Sequence, residues 1–432
     1  MISLRLRGPL ADARFRRLLA GQSLSTFGDT ALYLTLGIWA KALTHSNAAA
    51  GAVFLALGLP ALFAPAAGHL ADRVRRRPLL LWANALTAVL VLALLAVHSR
   101  AELWIIYLVA FGYGAAFTVL GSASAGLQKD LLAGDDLAAA NAALTSITYG
   151  VRIVAPAAGA GVFAVFGGGA VALLDVVTFA AALAALLSIR VTESAPEPAR
   201  AGSFRREIAA GFRHLRAVPL LAQITLVPAC AFSVIGLNET IIFAVIGQGL
   251  HRPPTFYGVL ASVQGAGSIA AGLVMSPVMR RIGPARMTGL ALAGFGLATA
   301  TYLSASVPLI LAGAVVDGAG LVWLVAVAGT VIQRYTPPRL QGRASAAWNM
   351  IVITPQTVSI ATGAALITYV SYRVLLLAVI AAIGACAVYL LAWPAAEPVA
   401  RDHGDRPREA PARGAPGPAR PAPGAAPRSG AA

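Results

Sequence analysis

Apolar runs of about twenty residues recur along the whole chain, and a soluble fold has no place for so many of them. A helix of that length crosses the hydrocarbon of a bilayer with its backbone N–H and C=O groups satisfied within the segment. Twelve such runs are read, at roughly 18–41, 48–70, 78–98, 103–127, 141–166, 170–189, 219–247, 255–279, 286–304, 307–333, 346–369 and 373–393. They are continuous rather than alternating, so helices are expected and not barrel strands. Composition agrees, with 58% hydrophobic and 12% charged residues, where soluble domains carry about 25% charged residues. The expected fold class is an all-α membrane protein with twelve transmembrane helices. Gly167-Gly168-Gly169 leaves a very short turn between the fifth and sixth runs, and a re-entrant hairpin is the alternative there.

The net charge of +16 could suggest a nucleic-acid partner, but its placement argues against one. Of the 33 Lys and Arg residues, 28 fall at the two termini and in the gaps on one side of the alternation. Four, Lys41, Arg100, Arg252 and Arg373, lie in the opposite gaps, and Arg152 lies inside a run. Basic residues accumulate on the cytoplasmic side of membrane proteins, so both termini are expected there, in a multi-pass protein of the plasma (inner) membrane. The basic N-terminus leads directly into a full-length run, which then serves as its own targeting signal. Cys230 and Cys386 lie within apolar runs and read as reduced packing residues.

The longest internal gap divides six runs from six. It opens on a flexible stretch around Glu193, Pro196, Glu197 and Pro198. Phe204, Ile208, Phe212 and Leu215 then share one helical face, with Arg205, Arg206, Arg213 and Arg216 elsewhere. A basic amphipathic helix on the inner membrane surface is expected. The predicted organisation is therefore a six-helix half over 1–190, a cytoplasmic linker over 191–218, a second half over 219–393, and a tail over 394–432. That tail holds nine of the 26 prolines and has no means of burying a core.

Four acids fall inside runs: Asp29, Asp175, Glu239 and Asp317. A charge at mid-bilayer costs about 2.5–3.5 kcal/mol, so each must face protein or water. Gln22, Ser25, Thr26 and Tyr33 surround Asp29 at helical spacing, and such a stripe faces a cavity. Asp29 reads as a proton carrier or, equally, as a structural carboxylate. Arg152, preceded on its face by Asn141, Thr145 and Thr148, is its expected partner. That pair could break on protonation or could simply fix helix packing. Asp317, between Gly313 and Gly320, is either a second proton carrier or part of a hinge. Glu239, flanked by Phe232, Gly236 and Phe243, suits a cationic or lipophilic guest, or is a hydrated residue at the mouth. Gln22, Tyr33, Phe232, Glu239, Phe243, Gln264, Asn349 and Gln356 are the candidate substrate-binding residues. Asp175 reads as structural.

The charged stretch Gly68-His69-Leu70-Ala71-Asp72-Arg73-Val74-Arg75-Arg76-Arg77-Pro78 is too short to hold a catalytic pocket. It can pin helix ends together, with its arginines meeting phosphates, helix C-termini or Asp72. A weaker copy occupies 276–286 in the second half, with the basic residues and without the acid. No Walker pattern, paired-His helix, Cys-x-x-Cys or nucleophile elbow is found, so no enzyme chemistry, cofactor or metal is expected.

Four stretches together resemble the major facilitator superfamily, and more narrowly its twelve-helix bacterial exporters of the macrolide-efflux and enterobactin-exporter type. They are Phe15-Arg16-Arg17-Leu18 through Gly28-Asp29; Gly68 through Pro78; Val151-Arg152-Ile153-Val154-Ala155-Pro156; and Gln333 through Arg343. The resemblance implies two six-helix bundles with a cavity at their junction, and alternating access driven by the proton gradient. Asp72 and Arg73, with Gly68 and Arg77 of the same loop, match the conformational latch. Pro156 and Gly159 match the antiporter motif of the fifth helix. Arg75 and Ala155 stand where the family patterns carry glycine. The expected function is proton-coupled export of an amphipathic small molecule such as a drug, antibiotic or siderophore. An importer running as a symporter on the same fold is the alternative, and a non-transporting sensor or scaffold is a third reading. The expected partners are the small molecule, protons and the bilayer, the chain acting as a monomer.

Overall fold

The computed structural model describes residues 12–63, 73–131, 135–189, 191 and 204–396. Helices account for almost all of them, and no strand is present among the described residues. The first half comprises α1 (Ala13–Thr44), α2 (Asn47–Gly58, tightening into a 3-10 turn Leu59–Phe63), α3 (Arg76–Leu92), α4 (Leu103–Leu131), α5 (Asp135–Phe166) and α6 (Gly168–Ser188). A shorter helix, α7 (Phe204–Ala217), precedes the second half. That half comprises α8 (Pro219–Gly249), α9 (Phe256–Ile282), α10 (Pro284–Thr301), α11 (Val307–Tyr335), α12 (Pro338–Leu366) and α13 (Tyr372–Ala392). The twelve long columns form two six-helix bundles, the all-α architecture of the major facilitator fold.

Seven columns, α3, α4, α6, α8, α9, α11 and α13, are long and apolar enough to cross a membrane on that criterion alone. Of the others, Asn47–Phe63 and Gly150–Phe166 are apolar but shorter among the described residues, and α1, α5 and α12 carry polar residues that line the hollows. A single residue, Gly167, turns α5 into α6. Its φ of 77° is a left-handed conformation open to glycine and costly for other residues. The expected short turn is therefore real, and the two helices are separate columns.

Small residues set how closely the columns approach. Along α1, Gly21 packs on Ala182 and Ala185 of α6, and Gly28 packs on Asp175 and Thr178 of the same helix. Such contacts let backbones approach where lipid supplies no hydrophobic drive for helix association. α8 is not one smooth helix. It breaks at Gly236 and ends in a π turn, Val245–Gly249. α7 docks on α12 and α8, with Leu215 buried, Arg213 and Arg216 exposed, and Gly211 against the Arg343 carbonyl. His214 Nε2 and Thr336 Oγ1 lie 3.1 Å apart. The side chains of Phe204 and Ile208 lie outside the described set.

The halves meet along α5 and α9, and along α2 with α8 and α12. A Cβ on Gly258 would come within 2.6 Å of the Pro156 carbonyl, and one on Gly265 within 2.5 Å of the Arg152 carbonyl. Gly51 of α2 abuts Thr240 of α8 in the same way. All these residues lie in the part of each column away from the chain termini, so the junction is closed on the face remote from the termini.

Candidate functional site

Two hollows flank this closed junction. The first lies in the first half and has a volume of about 270 Å³. Gln22, Ser25, Thr26 and Asp29 line it from α1, Asn84 from α3, Ser124 and Gln128 from α4, and Thr148 from α5. The α1 stripe therefore faces a cavity, with Asp29 at its deep end. The Asp29 carboxyl accepts hydrogen bonds from Tyr113 Oη and, at 3.4 Å, from Ser25 Oγ. Asp175 of α6 stands beside it, wholly buried against Gly28.

The second hollow, of about 120 Å³, lies in the second half. Phe232, Asn238 and Glu239 of α8 line it, with Tyr257 and Gln264 of α9, Tyr302 after α10, Asp317 of α11 and Gln356 of α12. Tyr257 Oη donates to Glu239 at 3.3 Å, and the Gln264 amide donates to Asp317. Glycines make the second contact possible. Gly267 sits against the Val315 carbonyl and Gly318 against the Gln264 carbonyl, so α9 and α11 touch backbone to backbone. Ser268 Oγ then donates to the Gly318 carbonyl at 3.0 Å.

An aromatic chain crosses the junction between the hollows. Tyr33 packs on Phe54 at 5.5 Å, Phe54 on Phe243 at 6.2 Å, and Phe243 on Tyr257 at 5.3 Å between ring centroids. Offset and edge contacts at these spacings are attractive beyond the area they bury. The chain joins α1 and α2 to α8 and α9 and ends on the phenol that holds Glu239. Arg152 of α5 and Glu239 both lie within electrostatic reach of Tyr33. The junction thus carries one basic and one acidic group around an aromatic core.

A sequence profile for transmembrane secretion effectors matches residues 6–409. The chain belongs to the transmembrane secretion effector family, within the major facilitator superfamily. No curated relative matches it by sequence. Its fold is similar to that of a bacterial homologue of the iron transporter ferroportin in an inward-facing state, with a TM-score of 0.67 at 17% identity, over 88% of this chain and 98% of that one. It is similar to the nucleoside transporter NupG, with a TM-score of 0.72 at 14% identity, over 88% and 99%. It is also similar to a peptide transporter of the POT type in complex with alafosfalin, with a TM-score of 0.70 at 14% identity, over 89% and 95%. The protein is a multi-pass membrane transporter that moves a small molecule by secondary transport.

In this family member, several residues proposed from sequence converge. Phe232, Glu239, Gln264, Asp317 and Gln356 share the second hollow, while Gln22 and Asp29 share the first. Tyr33 and Phe243 belong to the aromatic chain between them. Asn349 lines neither hollow. Ala344, Ala347, Trp348 and Val352 are the buried face of α12, which leaves Asn349 exposed on the other side. Asp29 takes hydrogen bonds from Tyr113 and Ser25, whereas the sequence pointed to Arg152 as its partner. Arg152 lies a turn further along, near Tyr33. Pro156 and Gly159 are buried in α5, with Gly159 2.8 Å in prospective Cβ distance from the Ala31 carbonyl of α1. Gly68 and Asp72 lie outside the described residues. Arg73 is exposed, and Arg77 donates to the Leu186 and Leu187 carbonyls at 3.0 and 3.1 Å, at the C-terminus of α6. Arg17 adds a bond of 3.1 Å to the Ser188 carbonyl. Cations at a helix C-terminus satisfy its unpaired carbonyls and complement its dipole.

Sequence reasoning missed Tyr113, Tyr257 and Tyr302, and it set Asp175 apart from Asp29. Tyr113 sits 84 positions from the carboxyl it holds, and no spacing rule links the two. The available signal was chemical: each buried acid requires a donor, and tyrosine is the donor an apolar helix tolerates best.

Proposed function

We propose that this transporter is a proton-coupled exporter of amphipathic small molecules bearing a cationic group, of the drug, antibiotic or siderophore-like kind. The observation that carries this reading is Glu239, held by Tyr257 at the end of an aromatic chain and sharing a hollow with Asp317. A carboxylate ringed by aromatic faces suits an organic cation. The hollow of about 120 Å³ is smaller than the ~300–1,000 Å³ of a typical ligand pocket. It would take a charged headgroup, with the apolar remainder lying along Phe232, Phe243 and Tyr33.

Alternating access would come from rocking of the halves 1–190 and 219–393 about the junction. Gly68, Asp72, Arg73 and Arg77 would latch the cytoplasmic face, and Pro156 with Gly159 would govern the opposite one. Asp29 and Asp317 would carry protons, with Arg152 answering the charge between them. A plasma-membrane location with cytoplasmic termini would make the described state inward-facing.

The test is a susceptibility panel in an efflux-deficient host. Expression of the wild type should raise tolerance to cationic amphipathic compounds, and Asp29→Asn and Glu239→Gln should each abolish the gain. Unchanged tolerance to every compound, together with proton-dependent uptake of a labelled nutrient, would favour the importer.

A further inference from the structure

The carboxyl groups of Asp29 and Asp175 lie on different helices, yet they interact electrostatically and share one phenol. Gly28 permits the approach, since a Cβ there would lie 2.5 Å from Asp175 Oδ1. Asp175 is 0% exposed, and its Oδ2 has no hydrogen-bond partner. Thr178 Oγ1 lies 3.4 Å from its other oxygen and donates mainly to the Asp175 backbone carbonyl, at 2.8 Å. The buried Tyr113 hydroxyl donates to Asp29 and also interacts with the Asp175 carboxyl.

A phenol has one proton to donate. With that proton on Asp29, the phenol oxygen is only an acceptor toward Asp175. An ionised Asp175 would then set lone pairs against lone pairs, whereas a protonated one would donate to the phenol. Charge leads to the same result. Two neighbouring carboxylates that share one phenol, one of them wholly buried, repel each other, and such pairs hold a proton in common. The surroundings supply little compensation. From α5 the nearest ionisable group is Arg152, which acts at Tyr33, a turn away along α1. α2 presents no ionisable group in its described part, and α3 carries its arginines at the end near the α6 C-terminus. Among the described residues no third His, Cys, Asp or Glu completes a metal cluster. Access is one-sided, because Asp29 lines the 270 Å³ cavity and Asp175 does not.

We propose that Asp29, Tyr113 and Asp175 form a proton-binding site in which the two carboxyl groups hold one proton between them, loaded from the cavity through Asp29. In one form Asp175 carries the proton and donates to the phenol oxygen, while the phenol donates to the Asp29 carboxylate. In the other, Asp29 carries it and the directions reverse. Interconversion moves two protons by one step each, shifts the negative charge from one aspartate to the other, and leaves the total charge of the site unchanged. Loss of the shared proton leaves two like charges against Gly28, and α1 and α6 must then part or admit water. The site rests on the proton-coupled reading and extends it by giving Asp29 a buried partner.

The experiment is infrared difference spectroscopy of the purified full-length protein across a pH series, with ¹³C-labelled aspartate. The protonated-carboxyl band that disappears in the double variant Asp29→Asn with Asp175→Asn isolates this site. It should titrate as one proton per chain. In Asp175→Asn the midpoint should move toward acid by about one pH unit or more, since the remaining carboxylate ionises without a charged neighbour. Tyr113→Phe removes the bridge and should also move the midpoint, so it carries the test if Asp175→Asn fails to fold. An unmoved midpoint in both single variants would overturn the proposal. So would stoichiometric Mn²⁺ binding that displaces the band and is lost in both Asp→Asn variants, which would make this a cation site. Transport indifferent to a pH gradient, with the titration as expected, would sink proton coupling and leave the proton site standing.

Discussion

Gly28 shows how much one missing methyl group can determine. A Cβ there would collide with the Thr178 hydroxyl and crowd Asp175, so Gly28→Ala forces α1 from α6. Overpacking of this kind costs about 1–3 kcal/mol, and thermal unfolding in detergent should register it. Gly384→Ala, with nothing near its added methyl, should leave the melting temperature unchanged or slightly raised. At the other end of α1, Asp12 caps the helix by accepting from the Arg14 N–H at 2.7 Å and pairing with its guanidinium at 2.8 Å. Bonding to the Arg14 side chain holds the Asp12 carboxyl below the usual carboxylate range. A lowered value in the folded state means the cap stabilises fully above the unfolded value, and that this is lost as pH falls through the folded one. Amide exchange over 13–16 should therefore rise in acid, and Asp12→Ala should raise it at neutral pH by the loss of about 1 kcal/mol. That Asp29, Glu239 and Asp317 line hollows was readable, because an acid in an apolar run must face something polar. Tyr113, Tyr257 and Asp175 were not, because their partners lie on other helices. The facing of Asn349 was unreadable for the same reason, since it depends on which side of α12 the neighbouring columns bury.

The seam of α5 with α9 is built around a proline. Pro156 lacks an N–H, so the Arg152 carbonyl loses its helical partner and lies against Gly265. One turn on, the Ala157 N–H donates across the junction to Ser262 Oγ at 3.1 Å. Small residues and one hydroxyl thus hold two backbones together. Ser262→Ala should weaken closure by about 0.5–1.5 kcal/mol, and Gly265→Leu should do so more strongly by forcing the backbones apart. Double electron–electron resonance between spin labels on the remote ends of α2 and α8 should show a longer distance gaining population in that order. An unchanged distance distribution in Gly265→Leu would mean that this seam does not govern closure. The columns themselves were largely legible, since the described part of each apolar run found from sequence lies on one of them. Their ends were less so. α5 starts at Asp135 and α12 at Pro338, ahead of the apolar stretches at 141 and 346, because backbone hydrogen bonding continues past bilayer depth while apolarity stops there. The breaks in α8 at Gly236 and Val245–Gly249 were not read from sequence, because the glycines and polar residues there lie within an otherwise apolar run long enough for one continuous span.

The direction of transport depends on which way the folded chain sits in the bilayer, and charge decides that. Twenty-eight of the 33 Lys and Arg residues fall on the side of the termini. An asymmetry of that size sets orientation during insertion. The hollow beside Asp29 would then open to the cytoplasm, while the aromatic chain and the α5–α9 seam close the outer face. In a background lacking Cys230 and Cys386, Ala305→Cys between α10 and α11 should react with a membrane-impermeant maleimide in intact cells. Ala217→Cys at the end of α7 should react only after permeabilisation. The opposite pattern would invert the mechanism, because a proton entering from outside would then reach the open hollow beside Asp29 in this state. With the expected orientation, a membrane potential of about 100 mV supplies about 2.3 kcal/mol per proton. One unit of pH difference adds about 1.4 kcal/mol. A neutral substrate exchanged for one proton draws on both terms, roughly 500-fold, whereas a substrate with one positive charge exchanges without net charge and draws on the pH difference alone, about tenfold per unit. Proteoliposomes with an imposed pH gradient should accumulate substrate about tenfold per pH unit for each coupled proton with the wild type. Asp29→Asn should equilibrate substrate without accumulating it, because the halves can still rock while the proton no longer drives them.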